Sequence, residues 1–353
     1  MPLYNSDDLR EFCKNVLTSI GSENEDAFNA ADALIRANLE GVDSHGISRL
    51  GIYAKRMRDR RINPEPNIKI EKKGEAVLLV DGDNGLGQIV SARAIQAGIS
   101  LAKRSGNASI AVRNSNHFGT ASYFCQMAAK EGLVAMAFTN SPPGIPPWGG
   151  TKAFFGTNPI AFGFPNGTSA PVIIDMSTSV VARGKIILAA KENQSIPKGW
   201  AINEKGKETD NPHEALKGAV LPVGGAKGYA LALAVEVLTG ILSGAAYGPN
   251  VHNIYSEKNE HANVGHFFIL LDIEKFMPLD TFNYMMKGFI EEIKATPKKD
   301  GVEEILYPGE RREREYQKRL KEGIMISEEV EQELREISNL VNVSFPSFKV
   351  SIS

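Results

Sequence analysis

The sequence predicts an α/β fold flanked by helical segments from both termini. Three observations predict it. Apolar strand-like runs alternate with helix-period segments through the middle of the chain, capped helix-forming stretches fill the beginning, and a charged helix-forming stretch fills residues 311–340. In order, Ser6 ahead of Asp7 and Asp8 reads as an N-cap with an acidic first turn, opening a helix that Gly21 closes. Ser22-Glu23-Asn24-Glu25 has capping-box spacing, and Ala27, Phe28, Ala30, Ala31, Leu34 and Ala37 give the second helix a broad apolar face, ended by Gly41. After the turn Asp43-Ser44-His45-Gly46, the residues Leu50, Ile52, Tyr53 and Met57 predict a third helix to about Arg60, with Pro64 and Pro66 marking a linker.

From Ala76 the texture changes. A buried strand at 76–80 leads through a glycine-rich turn to a helix at 89–104, a strand at 109–112, a helix at 122–130 and a strand at 133–138. A Pro- and Gly-rich loop at 141–150 separates these from strands at 159–164 and 172–174 and a helix at 180–191. The polar stretch around Pro197-Lys198-Gly199-Trp200 reads as a surface excursion. Gly224-Gly225-Ala226-Lys227-Gly228 opens an apolar helix through Leu238, and a strand at 266–271 and an amphipathic helix at 281–294 complete the middle. The expected division is a helical part over 1–72, an α/β part over 73–298 and a C-terminal helical part over 299–353 that packs with the first.

With 42% apolar and 23% charged residues, the 353-residue chain has ordinary soluble, globular composition. Forty basic against 42 acidic side chains leave a formal charge of -2, which argues against nucleic acid or membrane partners and for a small molecule. Cys13 and Cys125 form neither a disulfide framework nor a metal spacing, as expected of a reducing cytoplasm. The opening residues lack a signal-peptide pattern, and no stretch is apolar enough to span a membrane.

Two constellations can carry chemistry. In the first, His45 stands just before a helix on which Arg49 and Tyr53 lie four apart on one face. Reduction of a 2-oxo acid needs a proton donor for the developing alkoxide and a cation for the carboxylate, roles that His45 and Arg49 could fill. The plainer alternative is a helix start capped by Asp43 or Ser44. In the second, Asn114-Ser115-Asn116-His117-Phe118-Gly119 joins a strand to a helix, where α/β proteins place ligand-binding groups. Imidazole titrates near neutral pH, so His117 is a second proton-transfer candidate; alternatively, these are turn residues satisfied locally. The turn Gly82-Asp83-Asn84-Gly85-Leu86-Gly87 lacks the G-x-G-x-x-G order of a Rossmann fingerprint. Lys227 in its glycine turn suits a pyrophosphate, and Asp175 at a strand end suits a ribose, although a plain turn and a cap explain them equally. His213, His252, His261 and His266 show no ligand spacing and read as structural or exposed, so no metal site is expected.

Taken together, Asp43-Ser44-His45-Gly46 with Arg49, Asn114 to Gly119, Gly156-Thr157-Asn158-Pro159, Asp175-Met176-Ser177-Thr178-Ser179, Lys227-Gly228-Tyr229 and Pro308-Gly309-Glu310 resemble the malate/L-lactate dehydrogenase family over nearly the whole chain. That family is distinct from the Rossmann-fold lactate and malate dehydrogenases and includes sulfolactate, ureidoglycolate and diketogulonate oxidoreductases. The resemblance implies a homodimer whose NAD(P)-binding domain is a three-layer α/β/α fold with a mixed sheet. It implies His117 as the proton acceptor in alcohol oxidation, with His45 competing for that role, and Ser44, His45, Arg49 and Tyr53 around the substrate. Cofactor contacts are implied at Ser141, Asp175, Met176, Ser177 and Lys227, and at Pro308, Gly309 and Glu310. The implied reaction moves a hydride between NAD or NADP and a small 2-hydroxy acid, malate first and lactate or sulfolactate next. A cyclic 2-carboxy imine reductase is the alternative within enzymes, and a silent carboxylate- or partner-binding protein the alternative outside them. Ala226, Ala230 and a short segment before Gly224 depart from the family pattern, and the tail 341–353 matches no part of it.

Overall fold

Asn5, not Ser6, caps the first helix: its Oδ1 accepts from the N–H groups of Asp7 and Asp8 at 2.7 and 3.4 Å. The computed structural model describes residues 2–167, 170–256 and 260–348. Strand β1 (Leu3–Tyr4) leads into α1 (Ser6–Ser19) and α2 (Asn24–Leu39). The expected capping box is not formed. Glu23 is the N-cap without a side-chain hydrogen bond, because Ser22 Oγ donates instead to the carbonyl of Pro64 and Glu23 pairs with Arg93. Helix α3 (Leu50–Arg58) follows two short 3-10 turns.

The central sheet has seven strands: β2 (Lys69–Gly74), β3 (Val77–Asp81), β4 (Asn107–Ser115), β5 (Leu133–Thr139), β6 (Ile160–Phe164), β7 (Val172–Met176) and β11 (Val264–Asp272). Their order is β2-β3-β4-β11-β5-β6-β7, with β3 and β4 parallel and every other neighbouring pair antiparallel. The sheet is thus mixed. Helices α4 (Gly87–Ser105) and α5 (Ala121–Lys130) pack on one face, where Val80, Ile95, Ile110, Phe124, Phe268 and Leu270 form a dry core. Between Met176 and Ala226, helices α6 (Arg183–Lys191) and α7 (Pro212–Lys217) enclose a small core with the three-stranded sheet β8 (Ala201–Ile202), β9 (Glu208–Thr209) and β10 (Ala219–Val220). The stretch read as a surface excursion therefore has its own packing. Helix α8 (Ala226–Glu236), continued by a π-helical turn Val237–Leu242, lies against the other face of the sheet.

Helix α9 (Leu279–Ala295) is followed by α10 (Glu310–Glu322), β12 (Ile324–Met325) and α11 (Glu328–Val341). The two termini meet directly. Strand β12 pairs with β1, α10 packs on α2, and α11 packs on α3 and α1. Leu9, Leu34, Leu50, Ile324, Leu334 and Ile337 share one core, against which Val341, Val343 and Phe345 of the tail also pack. The rest of the tail, 349–353, lies outside the described residues.

Candidate active site

The turn 43–49 is held from two sides. Asn38 of α2 accepts the Ile47 N–H and donates to Asp43 Oδ1, each at 2.7 Å. Gly46 lies so close to this amide that an added Cβ would sit 2.1 Å from Asn38 Oδ1. Arg319 of α10 donates to Asp43 Oδ1 and to the Asn38 carbonyl at 2.7 and 2.8 Å. Asp43 therefore braces the turn through its neighbours and caps no helix. Ser44 Oγ meets His45 Nδ1 at 2.9 Å, and Arg49 Nε donates to the Ser44 carbonyl at 2.6 Å. The guanidinium is thereby aimed by the same turn that presents His45.

On the facing segment, β4 continues through Asn114 and Ser115, the residues read as the start of a turn. Asn114 takes a left-handed φ of 50° and donates to Asp81, while Asn116 donates to the carbonyls of Asn84 and Gly85. The two asparagines thus do the local turn work. His117 does not. Its Nδ1 lies 2.5 Å from Tyr53 Oη, and its ring stacks on His45 with centroids 5.5 Å apart. His45, Arg49 and His117 line one cavity of about 250 Å³, together with Ser141, Thr157, Arg183, His252 and Tyr255 among others. Burial, aided by the Arg49 charge, pushes His45 down to about 4. Burial likewise holds His117 well below the usual imidazole value, with His45 and Arg49 adding to the effect. Buried Tyr53 is pushed up to about 12 and stays a neutral phenol. A neutral imidazole pair beside a fixed guanidinium can hold a carboxylate and exchange a proton with the neighbouring oxygen.

The other candidate residues are placed in three groups. Ser141 lines the cavity, and its Oγ accepts the Thr157 N–H at 3.0 Å. Beneath it the buried Glu236 of α8 accepts from Asn158 Nδ2 and the Gly248 N–H at 2.6 and 2.7 Å. Lys227 is exposed in the first turn of α8, behind Gly224 and Gly225, both with positive φ. Gly228 must be glycine, since an added Cβ would lie 2.1 Å from the Val223 carbonyl oxygen. Asp175 lies within β7, not after it, and its carboxylate accepts from Arg312 and the Ser122 N–H at 3.2 Å each. Met176 is exposed at the strand end, and Ser177 Oγ bonds to Ser179 Oγ. Pro308, Gly309 and Glu310 run beside β7; the Pro308 carbonyl accepts from Ile173, and Glu310 pairs with Lys294 and Arg314. None of Lys227, Asp175, Met176, Ser177, Pro308, Gly309 and Glu310 lines the cavity that holds the two histidines.

The family model for malate/L-lactate dehydrogenase matches residues 4–335. The chain belongs to the malate/L-lactate dehydrogenase family. Malate dehydrogenase from Pyrococcus abyssi is 43% identical over 96% of this chain and 94% of its own length. Ureidoglycolate dehydrogenase (NAD(+)) from Escherichia coli is 31% identical over 92% and 93%. Among solved structures, sulfolactate dehydrogenase from Methanocaldococcus jannaschii superposes with a TM-score of 0.91 at 38% identity, covering 97% of this chain and 98% of that one. Δ1-Piperideine-2-carboxylate reductase from Pseudomonas syringae superposes at 0.84 and 28% identity, covering 96% and 100%. As a member of this family the chain is an oxidoreductase, and its mixed sheet covered by helices on both faces is the expected fold.

Sequence reasoning missed four residues around the site of this dehydrogenase-family chain. Arg183 and Tyr255 carried no motif, and His252 was set aside for lack of ligand spacing, yet all three line the cavity. Gln88 opens α4 and reaches Tyr53 Oη at 3.3 Å. A buried amide at a helix start has no periodic signature that would single it out. His266, read as structural or exposed, is structural: it lies buried between Thr139 Oγ1 and Ser115 Oγ, both at 2.8 Å. Among the described residues, no group of three or more acidic, histidine or cysteine side chains is arranged to hold a metal.

Proposed function

We propose that this enzyme moves a hydride between a nicotinamide dinucleotide and C2 of a small 2-hydroxy/2-oxo acid, with malate and oxaloacetate the first pair and lactate or sulfolactate next. The observation that carries the reading is the convergence of His45, His117 and Arg49 on one cavity. Arg49 binds the C1 carboxylate, and His117 exchanges the hydroxyl proton through the ring nitrogen that Tyr53 leaves free. Arg183 brings a second guanidinium to the wall, which favours acids with two anionic groups over lactate.

The residues present fit a dinucleotide. The glycine turn points its backbone toward the α8 N-terminus, and exposed Lys227 adds a cation suited to a pyrophosphate. When bound, the nicotinamide supplies the hydride acceptor or donor. Ser141 is assigned to it because that hydroxyl lines the cavity beside Thr157. Asp175, Met176, Ser177, Pro308, Gly309 and Glu310 are assigned to the cofactor wall beyond the cavity, and NAD is placed ahead of NADP. The free, buried Cys13 and Cys125 suit the cytoplasm.

The same carboxylate clamp would serve a cyclic 2-carboxy imine, the reading that the superposition on a piperideine carboxylate reductase favours in second place. Oxaloacetate, pyruvate, sulfopyruvate and a cyclic imine, each assayed with NADH and NADPH, separate the two. Turnover of oxaloacetate is expected, and turnover of the imine alone overturns the first reading. His117→Ala should lower turnover about 10²- to 10⁴-fold, the ordinary contribution of general acid-base catalysis, with cofactor affinity retained. Near-normal turnover in both His117→Ala and His45→Ala would remove the mechanism.

A further inference from the structure

Glu236, at the end of α8, is 3% exposed, and its hydrogen-bond partners among the described residues are all uncharged. Its Oε2 accepts from Asn158 Nδ2 at 2.6 Å, and its Oε1 accepts from the Gly248 N–H at 2.7 Å and, more distantly, from Asn140 Nδ2 at 3.4 Å. Both asparagines are buried, and neither amide can turn round. Asn140 Nδ2 also donates to the Ala246 carbonyl at 2.7 Å while its Oδ1 accepts from the Gly265 N–H at 3.0 Å, and Asn158 Nδ2 also donates to the Ala232 carbonyl at 2.9 Å. Glu236 therefore meets N–H donors at both oxygens, and the acceptor-only form that fits them is the carboxylate. Burial pushes Glu236 above the usual carboxylate range, against the pull of those N–H groups.

What the three donors share is their place. Asn140 lines the cavity and leads into the lining residues 141–144, Asn158 sits between Thr157 and Pro159, which both line it, and Gly248 opens the short turn that runs on to the lining residues 252–255. Three segments of the cavity wall thus meet at one carboxylate from a fourth element, the helix whose first turn carries Lys227. His45, Arg49 and His117 come from other segments, the turn 43–49 and the end of β4. Filling the space under the wall would not need a buried charge, which is costly without a cation; joining donors from three loops does need an acceptor with two free oxygens.

We propose that Glu236 is a positioning residue that, as a carboxylate, holds together the three loops forming the nicotinamide side of the cavity. The inference rests on the proposed function only in naming the nicotinamide, and the wall itself is tested without ligand. Glu236→Gln sets an NH₂ against one of the N–H donors, so one hydrogen bond becomes a donor–donor contact. In ligand-free protein, hydrogen exchange is expected to quicken in peptides from 140–148, 155–159 and 246–255 and to stay at the wild-type rate in β3, β4 and α4. NADH affinity, read by fluorescence titration, should fall by about 10-fold or more, and KM for oxaloacetate should rise by more than kcat at saturation falls. Asn158→Gly removes the donor and tolerates the left-handed φ of 33°, so it should weaken NADH binding too. The double variant should bind no more weakly than Glu236→Gln, because the donor–donor contact is gone. Unchanged exchange in the three segments, faster exchange throughout the sheet, or affinity losses that add in the double variant overturn the proposal. A wild type that binds neither NADH nor NADPH overturns the dinucleotide reading instead, and the exchange pattern then decides the positioning role by itself.

Discussion

At the scale of single residues, burial keeps the two imidazoles of the cavity neutral where water would let them titrate. His45 is pushed down to about 4 and His117 is held well below the usual value, first by burial and then by the neighbouring positive charge of Arg49. The neutral form is the base that alcohol oxidation needs, so acid inactivates only once the depressed value is reached. The expected kcat/KM profile for hydroxy-acid oxidation is flat through the ordinary imidazole value of about 6.5, with the acid limb displaced well below it. A limb centred at the ordinary value would mean that the proton-carrying group is solvated. Among individual residues, His45, Arg49 and His117 stood out in the sequence because each belongs to a short polar turn next to a predicted helix. Gln88, Arg183 and His252 did not, because what brings them to the cavity is a contact across the fold.

At the scale of elements, most segments were legible from period and punctuation. Apolar runs marked β3, β5 and β11, and glycines closed α1 and α2 where they should. The misses have local physical causes. Strand β2 reads Lys-Ile-Glu-Lys-Lys-Gly and is exposed along its whole length at the sheet edge, so it offers no alternating buried face. The cap of α1 slipped by one residue because Asn5 and Ser6 are both good caps. The start of α8 is the element on which the cofactor reading depends. Gly228→Ala places a Cβ against the Val223 backbone, where nothing flexible can move aside, and so must shift the turn that carries Lys227. It should weaken NADH binding by about 10-fold or more in a fluorescence titration, about 1.4 kcal/mol, while the protein stays folded. Unchanged affinity would detach Lys227 from the cofactor.

At the scale of the whole molecule, the C-terminal helices do more than cover the N-terminal ones. Arg319 of α10 braces the turn bearing His45, and Arg312 of the same helix holds Asp175 of β7, so one late segment ties both the histidine turn and the last strand of the sheet. The surface also carries apolar side chains that a monomer would leave wet. Ile241 and Leu242 beyond α8 are 60% and 59% exposed, and Tyr284 on α9 is 80% exposed. The homodimer that the family resemblance implies would cover them. Sedimentation at micromolar concentration should show a dimer for the wild type and a monomer for Ile241→Glu combined with Leu242→Glu. A wild-type monomer would exclude the dimer.

By itself, the sequence determined the α/β class, the helical ends, the absence of a Rossmann glycine fingerprint and the two histidine turns, since period, caps and motif order are local properties of a chain. Only the tertiary structure decided that the two turns face one cavity, that Asn114 and Asn116 serve the backbone while His117 does not, and that Asp175 is tied to Arg312. Those facts depend on segments far apart in the chain being packed together, and no local pattern encodes which partner a buried polar group will find.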